Sequence, residues 1–275
     1  MTPLPPDVRQ VVERARGVLH PLLDALGPDL RRASGHVEAT AKADGTPVTD
    51  LDREADERLR AAIGTALPTH GILSEEHDTV VPDREWCWVI DPIDGTSNFT
   101  AGLPYWCVAV ALVYRGEVVL GTVDAPGLAR RYEAVAGEGT RRDGQAVRVR
   151  AAVAWDDQAA SHVPVMLTTG TARRARRAGI ALNPRVMGST ALDLAFVAEG
   201  VAAASVALVP HVWDVAAGTL LVREAGGVVV TLDGDELLPL RAGDDHADLH
   251  AATAAGADLA SVRALARRLL PDRVR

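Results

Sequence analysis

The segment from Trp88 to Phe99 carries residues whose types and spacing suit chemistry on a bound cation. A short apolar run ends at Asp91, and Asp94 follows three residues later. Pro92 stiffens the turn between the two acids, so that both carboxylates and the carbonyl of Ile93 can point toward one place. Oxygen ligands of this kind suit Mg²⁺, which keeps several waters and accepts a phosphate oxygen.

The residues after Asp94 suit a phosphate group. Gly95-Thr96-Ser97-Asn98 is predicted to open a helix. The first N–H groups of a helix lack intrahelical partners, and its N-terminal end is positive. The alternative is a turn at Asp94-Gly95 with Thr96 as a helix cap.

Two other acidic segments decide between these interpretations. Glu75-Glu76 follows a short apolar stretch, and Asp214 follows Trp213 at the start of a helix rich in small residues. A solvated pair and a simple helix cap are the alternatives. If these acids converge with Asp91 and Asp94, two like charges about 4 Å apart cost on the order of 4 kcal/mol at an effective dielectric of about 20. Such a cluster implies a bound cation.

Composition limits the classes of function. The chain has 275 residues, 48% of them hydrophobic, and a formal net charge of −8, which argues against nucleic acid as a partner. Cys87 and Cys107 lie in apolar runs and are predicted to be buried thiols of a reducing cytoplasm. We find neither an apolar signal core nor a membrane-spanning run, and expect a cytoplasmic protein with no membrane partner.

The pattern of apolar residues predicts helices first, then mainly antiparallel strands, then alternating helices and strands. We expect an α+β lobe over residues 1–150, which carries most of the acids, and a smaller α/β lobe over residues 151–275. Helices are predicted at 8–26, 52–66, 190–199, 214–225 and 257–270. Strands are predicted at 86–90, 105–114, 117–123, 131–136, 146–150, 203–209 and 227–232, and an exposed loop or hairpin at 35–50.

These segments resemble those of the inositol monophosphatase family, whose superfamily includes fructose-1,6-bisphosphatases and 3′(2′),5′-bisphosphate nucleotidases. Asp91-Pro-Ile-Asp-Gly-Thr-Ser-Asn-Phe99 is similar to its first signature, and Trp213-Asp-Val-Ala-Ala-Gly218 to its second. Three further segments match in family order: Lys42–Asp52, Glu75-Glu76 and Gly188–Ala191.

The resemblance implies an α+β to α/β fold, a layered αβαβα sandwich of the sugar-phosphatase type, and a homodimer. It implies hydrolysis of a small phosphorylated metabolite with Mg²⁺ as cofactor, two or three ions in each site. The implied metal ligands are Glu75, Asp91, the Ile93 carbonyl, Asp94 and Asp214.

The remaining roles also follow from the resemblance. Asp52 and Thr96 would orient the attacking water, which lies on the side of Glu75. The N–H groups of Gly95 and Thr96 would bind the phosphate. The residues Gly188, Ser189 and Thr190 would form a substrate-side loop.

Two positions depart from the family pattern. Ser74 stands where many relatives have Gly, and a Ser at this position is more typical of the bisphosphate nucleotidases. The segment Asp94–Phe99, in contrast, is of the inositol monophosphatase kind. Ala207 occupies the substrate-binding position where inositol-specific members place a Glu, so a charged contact of about 1.5–3 kcal/mol to a substrate hydroxyl would be missing. We therefore expect a sugar, polyol or amino-alcohol phosphate. The alternatives are a bisphosphate nucleotidase, a histidinol-phosphate phosphatase, and a regulatory protein that binds metal and anions without turnover.

Overall fold

The computed structural model describes residues 3–41, 47–155, 162–232 and 237–270. Lys42, in the predicted N-terminal match, lies outside these ranges. The helices within them are α1 (Pro6–Ala33), α2 (Asp50–Ala66), α3 (Thr96–Ala101), α4 (Thr169–Arg177), α5 (Thr190–Ala198), α6 (Val212–Glu224) and α7 (Leu259–Leu269). The strands are β1 (Thr40–Ala41), β2 (Pro47–Val48), β3 (Gly71–Ser74), β4 (Trp86–Asp94), β5 (Cys107–Tyr114), β6 (Glu117–Ala125), β7 (Arg130–Val135), β8 (Gly139–Arg142), β9 (Gln145–Val147), β10 (Pro164–Leu167), β11 (Asn183–Arg185), β12 (Ala204–Ala207), β13 (Val228–Thr231) and β14 (Thr253–Gly256).

A seven-stranded sheet, counted over the described residues, runs in chain order from β3 to β9. Its strands are antiparallel except for the parallel pair β3–β4. Side chains alternate along each strand and so point to both faces of the sheet, and each face packs against helices. In β4, Trp88 and Ile90 pack in a core with α1 and α2, whereas Val89 packs in the core that contains α5 and α6.

A five-stranded sheet, again among the described residues, has the order β11-β10-β12-β14-β13. Met166 of β10 packs in the core of α5 and α6, whereas Val165 and Leu167 pack on the opposite side with α7. The layers are therefore α1 and α2, the first sheet, α5 and α6, the second sheet, and α4 with α7. This layered αβαβα arrangement confirms the predicted fold class.

Small side chains let the central helices pack closely. A Cβ atom placed on Gly218 of α6 would lie 2.6 Å from the Cβ atom of Leu194 in α5. Such distances do not occur between real side chains, so this crossing requires glycine. The glycine lets the backbone of α6 approach the side chain of Leu194 closely, as the dense packing of protein interiors requires.

Most predicted elements are present with shifted ends. The first helix continues past Leu26 to Ala33, because its apolar stripe extends to the buried Leu30. The predicted hairpin forms at Arg115-Gly116, where both residues have positive φ, as a type I′ turn requires. The strands β1 and β2 pair as the hairpin expected in the 35–50 segment.

Other expectations concern the thiols, the membrane and the lobes. Cys87 and Cys107 are free and buried, as predicted. None of the helices in the described ranges has the length and apolar character needed to cross a membrane. The division into lobes at residue 150 stays a prediction.

Candidate active site

Asp91 and Asp94 reach the same side of the first sheet because β4 is irregular between them. Two carboxylates three residues apart on a regular strand point to opposite faces. Here Asp91 pairs with Ala109 and Asp94 pairs with Cys107, so the partner strand advances two residues while β4 advances three. This extra residue is a β-bulge, which reverses the alternation.

Asp214 approaches these two acids from the first turn of α6. Its Oδ2 accepts a hydrogen bond from the N–H of His211 at 2.9 Å, which closes a capping box. One ligand oxygen from each of Asp91, Asp94 and Asp214 lies within 4.8 Å of the others. Asp214 therefore caps its helix and also joins the cluster, so the two interpretations of this residue are compatible.

Glu75 lies beside this cluster, one residue after β3 ends. Its N–H donates to the carbonyl of Ile90 at 3.2 Å, which places its backbone next to Asp91. Its charge also contributes to the raised pKa of Asp91. The parallel pairing of β3 and β4 thus accounts for the approach of the acidic pair to the first signature.

Asp52 and Thr96 are in contact, although 44 residues separate them. The Thr96 hydroxyl lies 3.2 Å from Oδ1 of Asp52 and 3.1 Å from the carbonyl oxygen of Ile93. The other oxygen of Asp52 accepts hydrogen bonds from the N–H and hydroxyl of Thr49, at 2.7 and 2.6 Å. Asp52 is buried, and this capping box fixes its carboxylate.

Gly95 joins β4 to α3 in a backbone conformation that favours glycine. Its φ is +95°, and a Cβ atom at this position would lie 3.1 Å from the carbonyl oxygen of Gly188 and 3.2 Å from that of Tyr105. The helix predicted from Gly95-Thr96 begins at Thr96. Its first N–H groups therefore lie next to Asp94.

The Gly188–Ala191 segment binds Asp94 directly. Oδ2 of Asp94 accepts hydrogen bonds from the Ser189 hydroxyl and the Ala191 N–H, both at 2.6 Å. Oδ1 accepts a weaker one from the N–H of Thr190 at 3.3 Å. The sequence predicted a substrate-side role for this segment but did not reveal its hydrogen bonds to a proposed metal ligand.

Asn98 is a further residue whose function the sequence did not reveal. Its side-chain Nδ2 donates to the carbonyls of Tyr105 and Met187, each at 2.6 Å. It therefore ties α3 to the start of the 188–191 segment. Its place in the first signature was the available signal, but the signature does not name its partners.

Ala207 is the last residue of β12 and is buried at 2% exposure. It pairs with Thr253 of β14 in the second sheet. Its predicted part in substrate selection stays a prediction.

Burial and mutual repulsion dominate the electrostatics of the cluster. Burial, followed by the charges of Glu75, Asp94 and Asp214, raises the pKa of Asp91 well above its ordinary value. Burial raises the pKa of Asp94 to about 6, although the hydrogen bonds from Ser189, Ala191 and Thr190 act in the opposite direction. Crowded carboxylate oxygens of this kind match the ligand preference of a hard divalent cation.

Comparison with known proteins supplies the family. The model of the inositol monophosphatase family matches residues 8–267. The chain belongs to the inositol monophosphatase family. It is accordingly a phosphatase, in the class of phosphoric monoester hydrolases.

Named relatives of this inositol monophosphatase family member differ in substrate. A Thermotoga maritima protein named fructose-1,6-bisphosphatase/inositol-1-monophosphatase is 36% identical over 222 residues, which cover 78% of this chain and 84% of the relative. A Mycobacterium tuberculosis histidinol-phosphatase is 37% identical over 204 residues, covering 70% of this chain and 77% of the relative. The solved structure of a Thermotoga maritima IMPase superposes with a TM-score of 0.73 at 30% identity, covering 86% of this chain and 89% of that one.

Proposed function

We propose that this chain hydrolyses a small phosphate monoester in a Mg²⁺-dependent reaction, with a sugar, polyol or amino-alcohol phosphate as substrate. The observation that carries the proposal is the convergence of Asp91, Asp94 and Asp214 within 4.8 Å at the end of a buried strand. Family membership supports the reaction class.

The donor set fits Mg²⁺. Carboxylate oxygens of Asp91, Asp94, Asp214 and Glu75, with the carbonyl of Ile93, would hold two or three ions. Bound Mg²⁺ would supply positive charge to stabilise the entering and leaving oxygens of an in-line displacement at phosphorus.

Residues of the chain position the reactants. The Thr96 hydroxyl and Oδ1 of Asp52, 3.2 Å apart, would orient the attacking water and receive its proton. The N–H groups of Gly95 and Thr96 would hold phosphate oxygens at the start of α3. Gly188, Ser189 and Thr190 would border this position, and the hydrogen bonds from Ser189 and Thr190 to Asp94 support this role.

Two observations bear on the alcohol part of the substrate, which is the leaving group. Ala207 replaces the acidic residue that inositol-specific members use, which disfavours inositol phosphate. The relative named histidinol-phosphatase, at 37% identity, favours histidinol phosphate as a second candidate. Both candidates share the phosphate-side chemistry described above.

Phosphate release from a substrate panel tests the proposal. The panel contains inositol 1-phosphate, histidinol phosphate, fructose 1,6-bisphosphate, glycerol 2-phosphate and phosphoadenosine phosphate, with Mg²⁺ or with chelator. We expect release that needs Mg²⁺ and that Asp91→Asn reduces by 100-fold or more, an order-of-magnitude figure for lost electrostatic stabilisation.

The control for this charge change is Asp83→Asn, at an exposed position away from the cluster. It should retain wild-type rates. Release that survives chelation, or equal rates in Asp91→Asn and wild type, would contradict the proposed mechanism. Preference for phosphoadenosine phosphate would instead assign the chain to the nucleotidases.

We also propose a homodimeric assembly, a cytoplasmic location and no nucleic-acid partner, supported by the family expectation and by the net charge of −8. Light scattering of the purified protein checks the assembly, and a monomeric mass would contradict it.

A further inference from the structure

Asp56 is a buried carboxylate that the proposed mechanism does not use. It lies on α2 one helical turn after Asp52 and is 0% exposed. Its Oδ1 accepts a hydrogen bond from the hydroxyl of Ser74. Its Oδ2 faces Nε2 of His77 at 3.2 Å and Nε of Arg60 at 3.9 Å. A buried carboxylate is costly unless such partners compensate it, so its presence calls for a reason.

Ser74 controls the turn that presents Glu75. Its N–H donates to the carbonyl of Asp78 at 2.9 Å, and its hydroxyl oxygen accepts from the N–H of Glu76 at 3.3 Å. Between these two bonds, the N–H of Glu75 reaches Ile90 on the neighbouring strand. The hydroxyl of Ser74 is therefore both donor and acceptor at the point where the chain leaves β3.

Helix α2 holds this turn at both ends. Asp56 binds Ser74 at its beginning, and Nη2 of Arg60 lies 2.6 Å from Oδ2 of Asp78 at its end. The same helix carries Asp52, which contacts Thr96 on the other side of the site. Two carboxylates one turn apart on a single helix thus reach the two loops that the proposed site requires.

We infer that Asp56 is a positioning residue, which acts through the hydroxyl of Ser74 to fix the backbone of Glu75 and so sets the affinity for Mg²⁺. The inference rests on the proposed function, in which Glu75 is a metal ligand. It also assigns a use to Ser74, one of the two positions at which this chain departs from its family pattern. Outer partners of metal ligands typically change metal affinity 10–100-fold when they are removed.

The test compares Ser74→Ala and Asp56→Asn with wild type by calorimetric titration with Mg²⁺ and by the Mg²⁺ dependence of phosphate release. We expect each variant to need about 10-fold more Mg²⁺ for half-saturation, while kcat at saturating Mg²⁺ stays near wild type. The double variant should lose little more Mg²⁺ affinity than either single variant, because both substitutions break the same hydrogen bond between Ser74 and Asp56. A residue that only stabilised the fold would lower the unfolding temperature without this shift in Mg²⁺ affinity.

The matched control is Thr140→Val, which removes another buried hydroxyl, one that donates to the carbonyl of Leu221 at 2.6 Å far from Glu75. It should leave Mg²⁺ affinity unchanged. Wild-type Mg²⁺ affinity in folded Ser74→Ala would overturn the inference, and this variant decides if Asp56→Asn does not fold. A wild-type protein that binds no Mg²⁺ would instead contradict the proposed function.

Discussion

Several acids of the site also have a structural task. Asp52 closes the capping box of α2, Asp214 closes that of α6, and Asp94 accepts three hydrogen bonds from the start of α5. Their carboxylates are therefore held in place by the protein itself. Such preorganisation reduces the reorganisation that cation binding and catalysis require.

Gly95→Ala tests how closely the proposed phosphate-binding part of the site is packed. The added Cβ would meet the carbonyl oxygens of Gly188 and Tyr105 at 3.1 and 3.2 Å, in addition to the strain of φ +95°. We expect a loss of stability of about 1–2 kcal/mol from the backbone strain alone, together with a loss of phosphate release. Denaturant unfolding and steady-state kinetics measure the two effects.

Gly144→Ala is the matched control, because Gly144 has φ +79° but no atom within 4 Å of an added Cβ. It should show similar strain and full activity. Equal kinetics in the two variants would show that crowding at Gly95 has no part in catalysis.

The acidic residues of the site could be predicted from local sequence, whereas their hydrogen-bond partners could not. Asp91 and Asp94 stand in one short segment, so a single motif carries both. Ser189 binds Asp94 across 95 residues, and no local pattern records such a contact. Asp56 was missed because an acid in the exposed-looking sequence of an amphipathic helix has no distinguishing neighbour.

At the scale of elements, α1 is held to the first sheet by a small charged cluster. Glu133 of β7 is bonded by Nε2 of His20 and by Arg16, whose Nε lies 3.0 Å from its Oε1. Burial alone would raise the pKa of Glu133, but the hydrogen bonds and charges of His20 and Arg16 lower it below 4.5. The cluster therefore contributes stability in the ionised state of this carboxyl.

Glu133→Gln is expected to lower the free energy of unfolding by about 1–3 kcal/mol at neutral pH. Because the folded-state pKa is lowered, the stabilisation is present above the ordinary value of 4.5 and fades as the pH falls through the folded-state pKa. Urea unfolding across this pH range should show the difference from wild type shrinking in acid.

Glu85→Gln provides the comparison, since Glu85 pairs with Arg115 at 2.6 Å with its side chain 50% exposed. An exposed pair should contribute less than about 1 kcal/mol. A Glu133→Gln effect no larger than this, or one independent of pH, would contradict the role assigned to the cluster.

Elements with a strong periodic pattern of apolar residues were predicted, and elements without such a pattern were missed. The strand β14, Thr253–Gly256, has the sequence Thr-Ala-Ala-Gly, whose small residues have little strand preference. Helix α4 is rich in arginine and offered few apolar positions to count. Both are fixed by tertiary packing, β14 by pairing with β12 and β13 and α4 by contact with α7.

For the whole molecule, the proposed cation site joins two layers. Asp91 and Asp94 belong to the first sheet, and Asp214 belongs to the central helix layer. Mg²⁺ is therefore expected to stabilise the complete fold, by about 2.7 kcal/mol at a concentration of 100 Kd. Thermal unfolding with Mg²⁺ and with chelator measures this gain.

Asp91→Asn should have opposite effects in the two conditions. Without Mg²⁺ it removes a buried like charge and should raise the unfolding temperature relative to wild type. With Mg²⁺ the order should reverse, because the variant loses a ligand. Asp83→Asn should follow wild type in both conditions, and a variant that is destabilised equally in both would contradict the expected repulsion.

The hydrogen bonds from the 188–191 segment to Asp94 are expected to restrict how this enzyme can acquire new substrates. If this segment lies on the substrate side, as we propose, a mutation in it changes both the substrate contacts and the geometry of the proposed metal ligand Asp94. Most variants of the segment should then lose turnover before they gain a new preference. Ala207 lies instead in the second sheet, where it pairs with Thr253 of β14. Directed evolution of specificity should therefore begin there.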